Sequence, residues 1–433
     1  RQRILEALPT SSSSLSVRGP EAPQIAKVHS LMRLLLLRAG TLGILSRCSP
    51  PSFSLRPGPP LPPLLSCAMS SSASLTALPM RERVSNKELV QEASFIDGAF
   101  VTSPASGTFP VHDPASGALL GSVPDMGSEG AVAAVEAAHA AWKGWRDVPA
   151  KEKSVILRRW NDLILANTED LAVLMTSECG KPVAESRGEV AYAASFVEFF
   201  AEEVKRIDGA ILPPPNPNRR VLVSRQGVGV CSLITPWNFP AAMITRKVAP
   251  ALAAGCPSVV KPAQQTPFTA LALAELARQA GVPKGLINVV TSSTERTPEV
   301  GRELATHPLV RKVSFTGSTA VGKALLALAS GTVKRVSMEL GGNAPFIVFD
   351  DADLNAAVDG AMASKFRNAG QTCVCANRFL VQEGIAEAFA EAFADRVRAL
   401  KVGHGLEAGV TCGPLVSRAG ADKADDHVRD CVA

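Results

Sequence analysis

The absences in this 433-residue sequence narrow its function before any motif is read. No apolar run approaches the length of a bilayer-spanning helix, and the leucine run 34–37 is bounded by Arg33 and Arg38, so no membrane role is expected. The nine cysteines are scattered and odd in number in a large chain, which argues against a disulfide framework. Cys373 and Cys375 are separated by one residue, and neither a second pair nor a histidine follows at ligand spacing, so no metal site is expected. The six histidines (His29, His112, His139, His307, His404 and His427) fall in no motif that would serve a cysteine hydrolase as base.

What is present begins with an asymmetry of charge. Residues 1–81 hold nine basic and two acidic residues, leaving 36 basic and 38 acidic in the rest, a net of about −2. The basic excess is confined to the tail, so no nucleic-acid partner is expected. The chain starts at Arg1, and Met32 is a plausible initiator. From Met32 to Arg81 there is no acid, arginines recur at 33, 38, 47 and 56, and serine is abundant. That composition predicts a mitochondrial transit peptide, with a disordered tail of no address as the plain alternative. Residues 49–75, rich in Pro and Ser, read as linker, and order is expected from about Ser94.

At 46% hydrophobic the remainder can form two or more packed domains. Helices are predicted over 128–145, 151–176 and 184–208, followed by a strand at Val221. Between 228 and 340, apolar strands (228–234, 258–261, 286–290, 312–316, 335–340) alternate with helices (240–254, 267–280, 297–306, 319–329). Pro250 should kink the first of these helices, and Thr266-Pro267 reads as an N-cap with proline at the first helical position. The pattern predicts an α/β fold with a doubly wound parallel sheet, whose ligand sites lie at the carboxyl ends of the strands. Further strands at 344–349 and 378–381, with helices at 353–366, 385–400 and 417–431, begin a second α/β domain. The expected division is 1–90 transit peptide and linker, 91–341 cofactor domain with an interface strand region at 208–226, and 342–433 an incomplete catalytic domain.

The strand ends carry Thr235-Pro-Trp-Asn-Phe-Pro240, Lys261-Pro-Ala-Gln264, Phe315-Thr-Gly-Ser318 with Gly322, Met338-Glu-Leu-Gly-Gly342, and Phe366-Arg-Asn-Ala-Gly-Gln-Thr-Cys-Val-Cys375. These five blocks in this order resemble the aldehyde dehydrogenase superfamily from about residue 95 onward. The last block resembles its succinate-semialdehyde branch.

The resemblance implies Cys373 as the nucleophile, a role that suits a thiolate adding to a carbonyl. It implies Asn238 as an oxyanion donor beside the Cys373 backbone N–H, and Glu339 as the base that activates water. NAD or NADP is the implied cofactor, with Ile234, Trp237, Lys261, Pro262, Ala263, Gln264, Gly317, Ser318 and Gly322 around it. Ser318 opens a helix whose free N–H groups favour a pyrophosphate, although Gly317-Ser318 is not the G-x-G-x-x-G fingerprint. Arg246 and Arg367 match the arginines that hold a distal carboxylate, which suits a guanidinium fork. Cys375 matches a cysteine that forms a reversible, strained disulfide with the nucleophile.

The implied reaction is oxidation of succinate semialdehyde to succinate in a mitochondrial homo-tetramer; glutarate semialdehyde is an alternative substrate. Gln264 departs from the glutamate usual in NAD-preferring members, which makes NADP plausible. The family's Glu-x-Phe-Gly-Pro motif, its substrate-side serine loop and its final intersubunit strand are absent before Ala433. A catalytically silent fragment is therefore the other reading.

Overall fold

The computed structural model describes residues 75–102 and 107–432. The transit-peptide reading therefore lies outside the described residues as far as residue 74. Residues 76–90, expected to belong to the tail and linker, are instead packed. Met80, Val84, Leu89 and Val90 enter the core, and Arg83, on the short helix Met80–Arg83, is buried. The reason is a long-range ion pair with no local signature. The Arg83 guanidinium lies 2.6 Å from Asp113, which also accepts from His404 Nε2 at 2.9 Å.

The central sheet has seven strands, which follow one another across it in the order 335–339, 310–316, 230–234, 258–261, 287–289, 94–96 and 99–101. The outer pair is β1 (Ser94–Ile96) and β2 (Ala99–Val101), joined antiparallel to each other and to β9. β3 (Thr108–His112) and β4 (Leu119–Pro124) form a separate hairpin, as do β5 (Ala210–Leu212) and β6 (Val221–Val223). The other five sheet strands are parallel: β7 (Val230–Ile234), β8 (Ser258–Lys261), β9 (Ile287–Val289), β10 (Val310–Thr316) and β11 (Arg335–Glu339). Each agrees with its predicted run to within two residues at either end.

Both faces of the sheet are covered along its middle strands, β7, β8 and β9, while β11 is largely exposed. Cys231, Leu233 and Val260 face one apolar cluster, while Val230, Ile234 and Val259 face another. That alternation is why the strands read as continuous apolar runs. β12 (Ala344–Val348) and β13 (Ala376–Val381) form a further parallel pair with an apolar cluster of their own around Val348, Val358 and Phe389. No helix among the described residues is long and apolar enough to cross a membrane.

Two local expectations are corrected. The predicted 151–176 helix is two, Ala150–Ala166 and Thr168–Cys179. Asn167 separates them with φ −106° and ψ 26°, its side-chain amide donating to Leu163 O at 2.8 Å in competition with the backbone. Thr266 makes no capping bond to the Pro267–Gln279 helix. Glu178, from the distant Thr168–Cys179 helix, accepts instead from the N–H groups of Phe268 and Thr269, both at 2.9 Å. The Ala242–Ala253 helix continues through Pro250, which removes the N–H that would have bonded Arg246 O.

The Arg83–Asp113–His404 cluster generates a stability prediction. Burial raises the Asp113 carboxyl, but hydrogen bonds from His404, Arg83 and the Ala115 N–H outweigh it, so the group lies below its ordinary 3.8. A depressed folded-state value means stability is present above 3.8 and is lost as pH falls through the folded-state value. Asp113→Asn should cost about 3–5 kcal/mol in urea unfolding near neutral pH, because it leaves a buried guanidinium unpaired. It should also flatten the acid limb of the stability curve; an unchanged limb would contradict the assignment.

Candidate active site

The parallel register brings the carboxyl ends of four neighbouring strands to one edge. Ile234 pairs with Lys261, Phe315 with Ile234, and Thr316 with Glu339. The residues expected to serve the cofactor and the base therefore share that edge. Lys261 is buried there, and desolvation pushes its ammonium down to about 8 against the opposing pull of Asp125. Trp237 is half-buried on the loop after β7; Pro262 is buried, and Ala263 and Gln264 partly exposed, after β8. Gln264 lines a cavity of about 300 Å³ with Glu178, Ser293 and Glu295.

Ser318 caps the Thr319–Ser330 helix, its hydroxyl accepting from Val321 N at 3.3 Å. Gly317 and Gly322 are glycines for steric reasons. A Cβ on Gly317 would lie 2.4 Å from the Phe315 ring, and one on Gly322 would lie 2.5 Å from Leu340. Three buried oxygens near this edge, Thr235 Oγ1, Thr316 Oγ1 and Asn238 Oδ1, have no hydrogen-bond partner among the described residues. Unsatisfied buried oxygens at a strand edge, with a buried cation and a capped helix start, fit a polar phosphate-bearing ligand such as a nicotinamide dinucleotide.

Cys373 is exposed on the loop before β13. Two of the predicted partners contact that loop. Asn238 Nδ2 donates to Gln371 O at 2.9 Å, so the amide expected to face an oxyanion is engaged with the Cys373 loop itself. Gly342, three residues past Glu339, packs so closely that a Cβ there would be 2.9 Å from Cys373 O. The loop turns through Asn368 and Ala369, with φ of 51° and 53°, and Gly370. Asn is one of the few non-glycine residues that visits the left-handed region, and the Asn368 side chain is tied to the other loop, Nδ2 donating to Asn238 O at 3.1 Å. Its backbone N–H donates to Glu185 at 2.8 Å.

Both cysteine sulfurs of the pair are free. Cys375 is buried, and its thiol donates to Thr372 O at 2.9 Å and Gly370 O at 3.2 Å. No described histidine bonds to Cys373; both ring nitrogens of His404 are occupied, by Asp113 and by Leu406 N.

Arg246 and Glu339 line one cavity of about 450 Å³, with Lys247 and Ser314 between them. Lys247 donates to Ser314 at 2.8 Å; burial, then the nearby Arg246 charge, push it down to about 8, while Glu339 pulls the other way. The Arg246 guanidinium stands over the Phe196 ring at 5.3 Å and that of Arg367 over Phe239 at 4.7 Å. Arg367 is thus on the Asn238–Phe239 loop, whereas Arg246 belongs to the Glu339 cavity.

Sequence reasoning missed the group that fixes the loop. Lys181 is buried, 2.5 Å from Glu189, and donates to Asn238 O at 2.6 Å. Glu189 also accepts from the N–H groups of Ala241 and Ala242, at the start of the Ala242–Ala253 helix. The available signal was slight: a lysine between Gly180 and Pro182, at a helix junction where a surface lysine is equally ordinary.

The matching family model, described as the aldehyde dehydrogenase family, covers residues 100–433. The chain is 54% identical over 351 residues to a glutarate-semialdehyde dehydrogenase of Pseudomonas aeruginosa, covering 81% of this chain and 72% of that protein. It is 56% identical over 346 residues to the mitochondrial succinate-semialdehyde dehydrogenase of Homo sapiens, covering 80% of this chain and 64% of that one. A crystal structure titled as an NADP-dependent enzyme of E. coli superposes with a TM-score of 0.79 at 53% identity, covering 81% of this chain and 72% of that one. The chain belongs to the aldehyde dehydrogenase family, and it spans between 64% and 72% of the length of these relatives.

The buried Lys181–Glu189 pair should be strongly coupled. Glu189→Ala should destabilise by about 3–5 kcal/mol in urea, since it strands a buried ammonium. Adding Lys181→Met should restore part of that loss. A double-mutant cycle with no coupling would contradict the role given to the pair.

Proposed function

We propose that this chain oxidises a short semialdehyde bearing a distal carboxylate, succinate or glutarate semialdehyde, to the dicarboxylate, using NAD or NADP and Cys373. The observation that carries the proposal is that Asn238 and Gly342 both close on the loop of an exposed cysteine, while the carboxylate of Glu339 and a guanidinium, Arg246, share one cavity.

The Cys373 sulfur adds to the aldehyde carbonyl and forms a thiohemiacetal. The Asn238 amide and the Cys373 backbone N–H stabilise its oxygen; for this the amide exchanges its bond to Gln371 O for one to substrate. A nicotinamide dinucleotide, when bound at the strand edge, supplies the two-electron acceptor. Lys261 and the helix start at Ser318 hold its polar groups, and the neutral Gln264 tolerates a ribose phosphate. The thiohemiacetal, having given up its C–H hydrogen with two electrons and its O–H proton, is left as a thioester on Cys373. Glu339 takes a proton from water, the water oxygen attacks the thioester carbonyl, and the C–S bond breaks to release the acid and the Cys373 thiolate. Arg246 and Arg367 hold the distal carboxylate.

Three further readings belong to this proposal. The acid-free basic stretch from Met32 supports a mitochondrial address, an address that the human relative carries in its name. The β5–β6 hairpin, with Ile211 and Leu222 exposed at 77% and 74%, supports association into a homo-oligomer. Cys375, two residues from the nucleophile, supports a reversible disulfide with it once its hydrogen bonds to Gly370 O and Thr372 O open.

The test is formation of reduced nicotinamide, followed by absorbance, with each semialdehyde and each dinucleotide. Cys373→Ser should abolish turnover. Arg246→Leu and Arg367→Leu should each raise KM for the carboxylate-bearing aldehydes by about tenfold, ~1.4 kcal/mol, and leave an uncharged short aldehyde unaffected. No reduced nicotinamide in any of the four combinations would contradict the proposal.

A further inference from the structure

At the end of the Glu339 cavity away from the catalytic edge, two thiols meet that the reaction does not use. Cys231 is the second residue of β7, and Cys256 lies two residues before β8. Parallel pairing sets Cys231 opposite Ser258, and Cys231 N donates to Pro257 O at 2.9 Å, which draws the turn carrying Cys256 against β7. The two sulfurs influence each other's ionisation, while the thiols donate to main-chain oxygens, Cys231 to Gly229 O at 3.6 Å and Cys256 to Ala254 O at 3.9 Å. Both are almost fully buried in protein, yet both line the cavity of about 450 Å³, which is wide enough for a molecule the size of water or peroxide. Gly227 lies over the pair; a Cβ there would stand 3.2 Å from Cys256 Sγ.

The surroundings of the two sulfurs differ. The Cys256 sulfur is stabilised as thiolate by the Cys231 thiol first, then by the N–H groups of Gly229 and Val228 and the charge of Lys153, with burial opposing. Cys231 is pushed the other way, by Cys256 and by burial, with Lys312 opposing weakly. The titratable groups facing the pair are therefore Lys153 and Lys312, both cationic. Cys256, with two main-chain N–H groups and the Lys153 ammonium beside it, is the better placed of the two to attack as thiolate, and Cys231 is placed to resolve.

We propose that Cys231 and Cys256 are a peroxide-sensitive thiol pair, with Cys256 oxidised first and Cys231 closing a disulfide between β7 and the turn before β8. The Cys256 thiolate attacks one oxygen of hydrogen peroxide. The O–O bond breaks, and the departing hydroxide takes a proton to become water, leaving Cys256 as sulfenic acid. The Cys231 sulfur then attacks the Cys256 sulfur. An S–S bond forms, the S–O bond breaks, and hydroxide leaves with the Cys231 proton as a second water. The two thiols lose two electrons in all, and peroxide is reduced to two waters. The pair stands apart from Cys373 and Cys375, so the inference does not rest on the proposed reaction.

The experiment is peptide mass spectrometry on the full chain. Folded protein is exposed to hydrogen peroxide, free thiols are blocked with iodoacetamide under denaturing conditions, and the protein is digested with trypsin. Cys231 falls in the peptide 226–246, Cys256 in 248–278, and Cys373 with Cys375 in 368–378, so the pairs are read separately. The expected result is that 226–246 linked to 248–278 rises from trace to the main form of both peptides, and that dithiothreitol reverses it. In Cys231→Ser, Cys256 should instead be captured by dimedone as sulfenic acid. Recovery of both thiols alkylated and unlinked from the native chain would overturn the proposal whatever the variant does. Capture of Cys256 by dimedone in the native chain without any linked peptide would overturn the resolving role of Cys231.

Discussion

The site depends on one buried ion pair. Lys181 and Glu189 lie 2.5 Å apart with almost no exposure, and each has a second duty. Lys181 holds the carbonyl of Asn238. Glu189 satisfies two N–H groups at the start of the Ala242–Ala253 helix, where the helix has no cap of its own. Burial alone would discharge the lysine; the adjacent carboxylate keeps it charged. The Asn238 loop is thereby fixed at both ends, by an ammonium on its carbonyl and by a capped helix after it. Asn368 adds a second donor to the same carbonyl, which ties the loop of Cys373 to the loop of Asn238.

From that tie the rest of the arrangement follows. Parallel pairing places Ile234, Lys261, Thr316 and Glu339 at one edge, and the Cys373 loop crosses it. Gly342 lets the Glu339 strand exit against the cysteine's main chain, where any Cβ would collide. The Lys247 ammonium donates to Ser314 and feels both the Arg246 cation and the Glu339 carboxylate. The charges of the site are thus arranged by a strand of the sheet, which carries Glu339, and by the Ala242–Ala253 helix, which carries Arg246 and Lys247, while Cys373 sits on a loop fastened to the Asn238 loop.

The strands and most helices were legible in the sequence because the middle strands are buried on both faces and the runs are short, apolar and punctuated. The candidate side chains could be picked out because they follow strands directly: Asn238 after β7, Lys261 ending β8, Glu339 ending β11. The features that were not legible are contacts across long sequence separations. Glu178 replaces Thr266 as cap from about ninety residues away, and Arg83 meets Asp113 and His404. Neither leaves a local pattern. Asn167 was overlooked for a different reason: the apolar periodicity continues across it, and only its side-chain bond to Leu163 O separates the two helices. The Cys231–Cys256 meeting is of the same kind as the first two, since only strand register brings the residues together.

The central claim is that Cys373 carries the substrate while Glu339 supplies the water that releases it. Glu339→Gln, given a semialdehyde and a nicotinamide dinucleotide and then digested, tests it most directly by the mass of the peptide 368–378. The account predicts an acyl group of the substrate's mass on Cys373, removable by hydroxylamine. An unmodified peptide, in a variant that still produces one equivalent of reduced nicotinamide, would contradict it.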